Sequence, residues 1–266
     1  MTRNGTDHEG GRRGGRGRTG RAPGADHQQL VNERFHDRAQ RGEAVYQRED
    51  LFSVIQKHRQ ARALSWIDAL GLPAGSPVLE IGPGAGFMTV ELARRGYAVQ
   101  AADSTPRMIE IAGRRVAEAG VDRRVRLIVA DAHHLAFADG AFALVVALGV
   151  VPWLRSAPLA VAEMARVLRP GGHLVLNADN SRRLTLLLDP RHNPVLVSAR
   201  LATKTVLRSA RVMRPAARQA RVTAHHLADF DAMLSGTGLA RGSPGPPGPG
   251  QGDRAEDVPC TLAVCS

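Results

Sequence analysis

With 266 residues, 43% of them hydrophobic, the chain can bury a core for one α/β domain with extensions. Its net charge of +11 suggests a nucleic-acid partner, but 34 of the 36 basic residues are arginine and aromatic residues make up only 4%, so the excess reads as coding bias and platforms for stacking bases are scarce. Cys260 and Cys265 frame no disulfide scaffold, and the longest apolar run, 141–154, is too short to span a bilayer and is interrupted by Gly149 and Pro152.

Residues 1–28 are low in complexity and rich in Arg and Gly, as in Gly10-Gly11-Arg12-Arg13-Gly14-Gly15-Arg16. Such a segment cannot bury enough apolar surface to order itself, so it is read as a disordered arm; the competing reading is an arm for RNA. Its polar start has no apolar stretch behind it, so no signal peptide is expected and a cytoplasmic location follows. From 29 to 72 the chain reads helical, with Leu51, Val54, Ile55, Ala61, Leu64 and Ile67 at helical spacing.

The central stretch is Val78-Leu79-Glu80-Ile81-Gly82-Pro83-Gly84-Ala85-Gly86-Phe87. An apolar strand ends beside an acid, a turn follows with glycine at alternate positions, and 88–95 reads as a helix. Glycine leaves room for a ligand against the backbone and permits the φ values of a tight turn. Counted from Gly82, the sixth position is Phe87, where a dinucleotide fingerprint needs glycine. That spacing argues against a nicotinamide dinucleotide.

Strand and helix alternate from there. Residues 98–102 form a strand ended by Asp103, and Ser104 is read as the cap of a helix with Pro106 in its first turn. An acid at that strand end suits a ribose diol. Residues 125–130 form the next strand, followed by Asp131-Ala132 and by His133-His134. Two adjacent histidines without a third ligand motif make no metal site, and a surface turn is expected for at least one of them. Residues 142–148 form a central strand leading into Gly149-Val150-Val151-Pro152-Trp153, an apolar segment. A helix over 157–167 stops at Leu168-Arg169-Pro170-Gly171-Gly172, and 173–178 is the fifth strand.

The run Glu80-x-Gly82-x-Gly84-x-Gly86 resembles the first motif of class I S-adenosylmethionine (SAM)-dependent methyltransferases. The stretches 135–142 and 166–172 resemble the matching segments of ubiquinone/menaquinone-type members, except that Ala136 replaces a usual Pro and Ala143 a usual Asp. The resemblance implies a doubly wound, mostly parallel, Rossmann-like sheet in a domain over 29–240, with 29–72 as a helical cap in which Phe35, His36 and Tyr46 line a lid. It implies SAM as cofactor, held by Glu80, Gly82, Gly84, Gly86, Asp103, Ser104, Met108, Asp131, Ala132 and Leu148. Asp103 would take the ribose, and Asp131 with Ala132 the adenine. The apolar 149–153 segment suggests a small, apolar methyl acceptor. No catalytic base and no metal are indicated. The alternatives are a non-catalytic SAM-binding protein and an RNA methyltransferase using the basic arm.

A basic insertion over 180–222 follows, in which 195–214 fits an amphipathic helix suited to an anionic membrane surface or to covering an acidic substrate. After a helix over 225–239, the family closes its sheet with an antiparallel hairpin. Here 242–250 is Gly/Pro-rich, and proline donates nothing to a strand ladder. The tail 241–266 is therefore expected to be disordered, an out-of-frame or truncated replacement that leaves the hairpin incomplete and the fifth strand with an open edge. The competing reading is a linker ending in a short strand over 261–264.

Overall fold

A computed structural model describes residues 23–40, 51–177, 233–234, 237–241 and 260–265 of the chain. Its elements in order are α1 (Pro23–Gln40), α2 (Leu51–Ala69), β1 (Pro77–Ile81), α3 (Phe87–Arg94), β2 (Ala98–Asp103), α4 (Pro106–Glu118), β3 (Val125–Val129), β4 (Phe142–Ala147), α5 (Ala157–Arg166), β5 (Leu168–Asn177), β6 (Leu239–Arg241) and β7 (Cys260–Cys265). They build one seven-stranded sheet in the order β3-β2-β1-β4-β5-β7-β6. Every strand pair in it is parallel. The order reverses between β1 and β4, which opens a crevice at the carboxyl ends of those strands.

The strands read as they do because both sheet faces are covered. All six residues of β4 are buried, as a central parallel strand requires. Side chains alternate between two layers. Leu79, Ile81, Val145 and Ala147 pack with Ala160, Val161 and Met164 of α5 on one face. Val78, Leu144, Val146 and Val175 pack with Ala63, Leu64 and Ile67 of α2 and Leu92 of α3 on the other. In α4 the buried positions are Met108, Ile111, Ala112 and Val116, one helical face, behind Pro106 in the first turn. Burying each such larger apolar side chain contributes about 1.5–3 kcal/mol.

Several expectations are corrected. Residues 23–28 of the expected disordered arm are helical, as the start of α1, while 1–22 lie outside the described residues. The β5 strand starts at Leu168 and carries Pro170-Gly171-Gly172 within it, across a register shift between Phe142 and Leu144. The edge of β5 is not open: Thr261 to Cys265 pair with His173 to Asn177. A strand at the end of the chain is what the linker reading called for. The closing pair is still not a hairpin, because β6 and β7 run parallel. Residues 242–259, the basic insertion 180–222 with its 195–214 helix, and most of the 225–239 helix lie outside the described residues. Among the described residues no helix is long and apolar enough to cross a membrane.

The connection from β3 to β4 is fastened to α5. Arg166 donates to both Glu163 oxygens at 2.8 and 2.9 Å, to the carbonyls of Leu135 and Phe137 at 2.8 and 2.9 Å, and to Asp139 at 2.6 Å. Glu163 in turn accepts the Leu135 amide at 2.9 Å. Hydrogen bonds from Arg166 hold the Glu163 carboxyl down at about 2. A depressed carboxyl stabilises the fold above its unfolded value, and that contribution is lost as pH falls toward the folded one. Replacing Glu163→Gln is expected to cost about 1–2 kcal/mol at pH 7. The gap between wild type and variant, read from thermal melts, should narrow between pH 5 and pH 3; a gap that stays constant would contradict the network's role.

Candidate active site

A cavity of about 330 Å³ opens at the carboxyl ends of β1 to β4. Its floor is the turn after β1. Gly82, Gly84 and Gly86 all have positive φ, at 68, 55 and 80°. Each glycine has a different reason. A Cβ on Gly82 would come within 2.5 Å of Val150 Cγ2, so the loop after β4 can approach only a glycine. A Cβ on Gly86 would meet Ala112 Cα at 3.0 Å, so this glycine lets α3 sit against α4. A Cβ on Gly84 would meet nothing within 4 Å; it would project into open space at the cavity.

Carboxylates line one side. Glu80, at 4% exposure, lies in the cavity wall and accepts a 2.6 Å hydrogen bond from the Thr89 hydroxyl. Burial, helped by the nearby Asp103 charge, raises its carboxyl to about 7 against the Thr89 bond. Asp103 accepts the Thr105 amide at 2.8 Å, and burial lifts it to about 6. Asp131 follows β3. Burial would raise its carboxyl, but hydrogen bonds from His133, with Arg155 nearby, outweigh that and hold it low.

The two histidines separate. His134 is exposed. His133 is buried, with Nδ1 2.5 Å from Asp131 Oδ1, while Nε2 accepts the Ser156 amide at 3.2 Å. Both ring nitrogens are thus engaged in positioning Asp131 and the start of α5. Among the described residues no cluster of three or more metal-ligating side chains occurs.

The helix α1 lies over the mouth. Gln28 donates to Ser104 Oγ at 3.1 Å, Ser104 Oγ donates to Asn32 at 2.9 Å, and Asn32 donates to the Ser104 carbonyl at 3.3 Å. His27 Nε2 donates to the Trp153 carbonyl at 3.1 Å, and Phe35 meets the Trp153 ring edge to face with centroids 5.1 Å apart. Arg34 stacks over the same ring at 4.9 Å. The loop after β4, which carries Trp153, is tied down by the Gly149 amide donating to buried Asn177 at the end of β5.

Of the ten residues named from the sequence, Glu80, Gly82, Gly84, Asp103, Ser104, Asp131, Ala132 and Leu148 line the cavity. Gly86 and Met108 do not. Gly86 serves helix packing, and Met108, at 1% exposure, packs with Ala85 and Ile111 beneath the turn, against Phe35. Thr105, rather than Ser104, is the N-cap of α4, which frees Ser104 to hold α1. Of the lid residues, Phe35 lines the cavity, His36 is exposed on α1, and Tyr46 lies outside the described residues. Sequence reasoning missed Thr89, Asn177, Gln28 and the α2 residues Gln56, Arg59 and Gln60. The last three recur at helical spacing, which marks a shared face but not what it faces.

Residues 79–176 match the model of the methyltransferase domain family. That segment is a class I methyltransferase domain. The sequence is 37% identical over 110 residues to the methyltransferase GfsG of Streptomyces halstedii, covering 41% of this chain and 40% of that protein. It is 37% identical over 147 residues to a demethylmenaquinone methyltransferase of Mycobacterium sp. strain JLS, covering 53% of this chain and 59% of the relative. The chain thus spans about half the length of these relatives. In fold it resembles YcgJ from Bacillus subtilis, with a TM-score of 0.50, 26% identity and 69% of each chain covered. It also resembles the magnesium protoporphyrin IX methyltransferase ChlM of Synechocystis with bound SAH, with a TM-score of 0.59, 19% identity and coverage of 80% and 89%. The methyl donor of a class I methyltransferase domain is SAM. The cavity fits it on two counts: the space at Gly84 that a Cβ would enter, and acids on the wall where a ribose and a cationic group could be met.

Gly84→Ala should keep the fold with only the strain of its positive φ, about 1 kcal/mol, while Gly86→Ala should melt several degrees lower because it also clashes with Ala112. Equal melting temperatures would show that the two glycines share one role. The pH response of the ligand-free protein has a definite sign. Glu80 and Asp103 keep their protons to higher pH when folded than when unfolded, so stability falls as pH rises through about 4 to 7. Denaturation at pH 5 and pH 8 should show this loss, and Glu80→Gln should shrink it; an unchanged slope in the variant would rule out Glu80 as its source.

Proposed function

We propose that the protein is a SAM-dependent methyltransferase acting on a small organic acceptor with an apolar body. The observation that carries this reading is the meeting of Glu80, Gly84, Asp103 and Asp131 in one cavity at the carboxyl ends of β1 to β3. When bound, SAM would supply a sulfonium-activated methyl, open to in-line attack at its carbon with the neutral thioether as leaving group. The chain's own residues then bind and orient. Asp103 accepts from the ribose hydroxyls, Asp131 and the Ala132 amide hold the base, and Gly84 gives the backbone close approach. Glu80 stands buried at the centre, held by Thr89, where a nearby positive charge would favour its ionised form.

On the acceptor side, Phe35, Leu148, Val150, Pro152 and Trp153 provide an apolar wall that excludes water. Positioning of this kind supplies much of the rate for a methyl already activated as a sulfonium. The rival reading, a non-catalytic SAM binder, rested on a degraded C-terminus; the pairing of β7 with β5 speaks against it for that part of the tail. The RNA reading rested on an arm whose Arg/Gly run lies outside the described residues.

Calorimetry with SAM and NAD side by side tests the proposal. SAM should bind and NAD should not. Asp103→Ala should weaken SAM by about 1–3 kcal/mol, the scale of a lost hydrogen bond to a charged group. Unchanged SAM affinity in that variant, or binding of NAD in preference, would sink the assignment.

A further inference from the structure

One side chain fixes the acid in the turn after β3. Residues 131–134 close that turn, with the His134 amide donating to the Asp131 carbonyl at 3.0 Å. Asp131 Oδ1 is bonded twice by the next residue but one: the His133 amide donates to it at 2.9 Å, and His133 Nδ1 lies 2.5 Å away. The first bond is an aspartate turn, which a backbone amide at 133 makes whatever its side chain. The second needs the imidazole, and the far side of the ring sets its direction. His133 Nε2 lies 3.2 Å from the Ser156 amide. An amide can only donate, so Nε2 accepts and Nδ1 carries the proton. The His133 side chain is 1% exposed, which shields both bonds from water.

Two donors engage both lone pairs of Oδ1. Oδ2 lies 3.7 Å from Arg155, past hydrogen-bond reach, and that pair is part exposed and screened. Asp131 lines the cavity and His133 does not, so Oδ2 is the oxygen with capacity to accept from a ligand. Resting on the reading that Asp131 holds the base of SAM, we infer that His133 is the positioning residue that makes this site select an amino-bearing base. Its Nδ1–H locks the carboxylate, so that Oδ2 presents an acceptor and nothing else. A 6-amino purine donates to that oxygen. A 6-oxo purine sets a carbonyl oxygen against it, acceptor facing acceptor beside a full negative charge. A carboxylate free to turn or to take up a proton loses this bias, because its protonated oxygen donates to a carbonyl. His133 acts through Asp131 and takes no part in the displacement.

The test is titration calorimetry of the full chain with S-adenosylhomocysteine and with S-inosylhomocysteine, which differ only in the amino or oxo group at the 6-position of the purine. The wild type should bind the adenosyl compound on the order of thirtyfold tighter. Two variants separate the roles of the ring. His133→Leu removes the Nδ1 donor and the Ser156 acceptor together, whereas His133→Asn keeps an N–H near the place of Nδ1 and loses only the bond to Ser156. The preference should fall to about fivefold or less in His133→Leu and stay mostly intact in His133→Asn. A preference unchanged in His133→Leu overturns the inference, and so does an equal loss in both variants, which would leave His133 a support of α5 alone. Should His133→Leu fail to fold, nitrogen NMR of the wild-type imidazole decides: a proton on Nδ1 and none on Nε2 upholds the lock, and a bare Nδ1 overturns it. Failure of S-adenosylhomocysteine to bind the wild type overturns the methyltransferase reading and this inference with it, whereas binding of both compounds alike strikes only the inference.

Discussion

The structure depends on how closely three backbones approach at the turn after β1. The loop after β4 meets Gly82, α4 meets α3 at Gly86, and between them Gly84 leaves space that a side chain would fill. All three residues take positive φ, which glycine adopts without strain. The cavity exists because this turn is thin. A bulkier turn would push the β4 loop and α4 away, and with them Trp153 and the face of α4 that carries Met108 and Ile111.

Around that turn the fold gathers acids into partly dry surroundings. Glu80 sits on the sheet face that packs with α2 and α3, so its one close donor is a hydroxyl from α3, Thr89. Burial costs the ionised form, and the carboxyl rises to about 7. Such a group is poorly suited to stabilise an empty protein and well suited to meet a cation. The opposite device holds the β3–β4 connection. There Glu163 is ionised and multiply bonded to Arg166, which fixes the loop that leads from Asp131 to β4. Among the described residues, one carboxylate keeps a single hydroxyl partner at the cavity wall, and the other is bonded into the scaffold.

The helix α1 completes the enclosure by contacts that span the chain. Its polar side engages Ser104 through Gln28 and Asn32, and Phe35 engages Trp153. Ser104 can do this because Thr105 is the helix cap. Read along the sequence, a serine before a proline in a helical pattern looks like the cap itself, and only the partner on α1 shows otherwise. The end of the chain teaches a similar lesson. The Gly/Pro run argued against a hairpin, and β6 and β7 are parallel; the strand beyond the run was left as the competing reading. Cys260–Cys265 has few residues and no alternation with charge, so it becomes a strand because β5 offers an unpaired edge.

What the sequence determined by itself is the local grammar: apolar runs ended by acids, glycines at alternate positions, and helices opened by proline. These patterns are set by backbone sterics and by burial of a strand on both faces, and they mark the alternation of strand and helix; the doubly wound order and the gathering of Glu80, Gly82, Gly84, Asp103 and Asp131 at one site came from the resemblance to class I methyltransferases. Tertiary structure alone decided which glycine borders open space in the cavity and which faces a helix, because φ is positive at all three and only the neighbour differs. It also decided that Met108 is core, that Thr89 and Asn177 are partners, and that Arg59 reaches the cavity. Those roles depend on residues far away in the chain, and a side chain carries no local mark of what will pack against it.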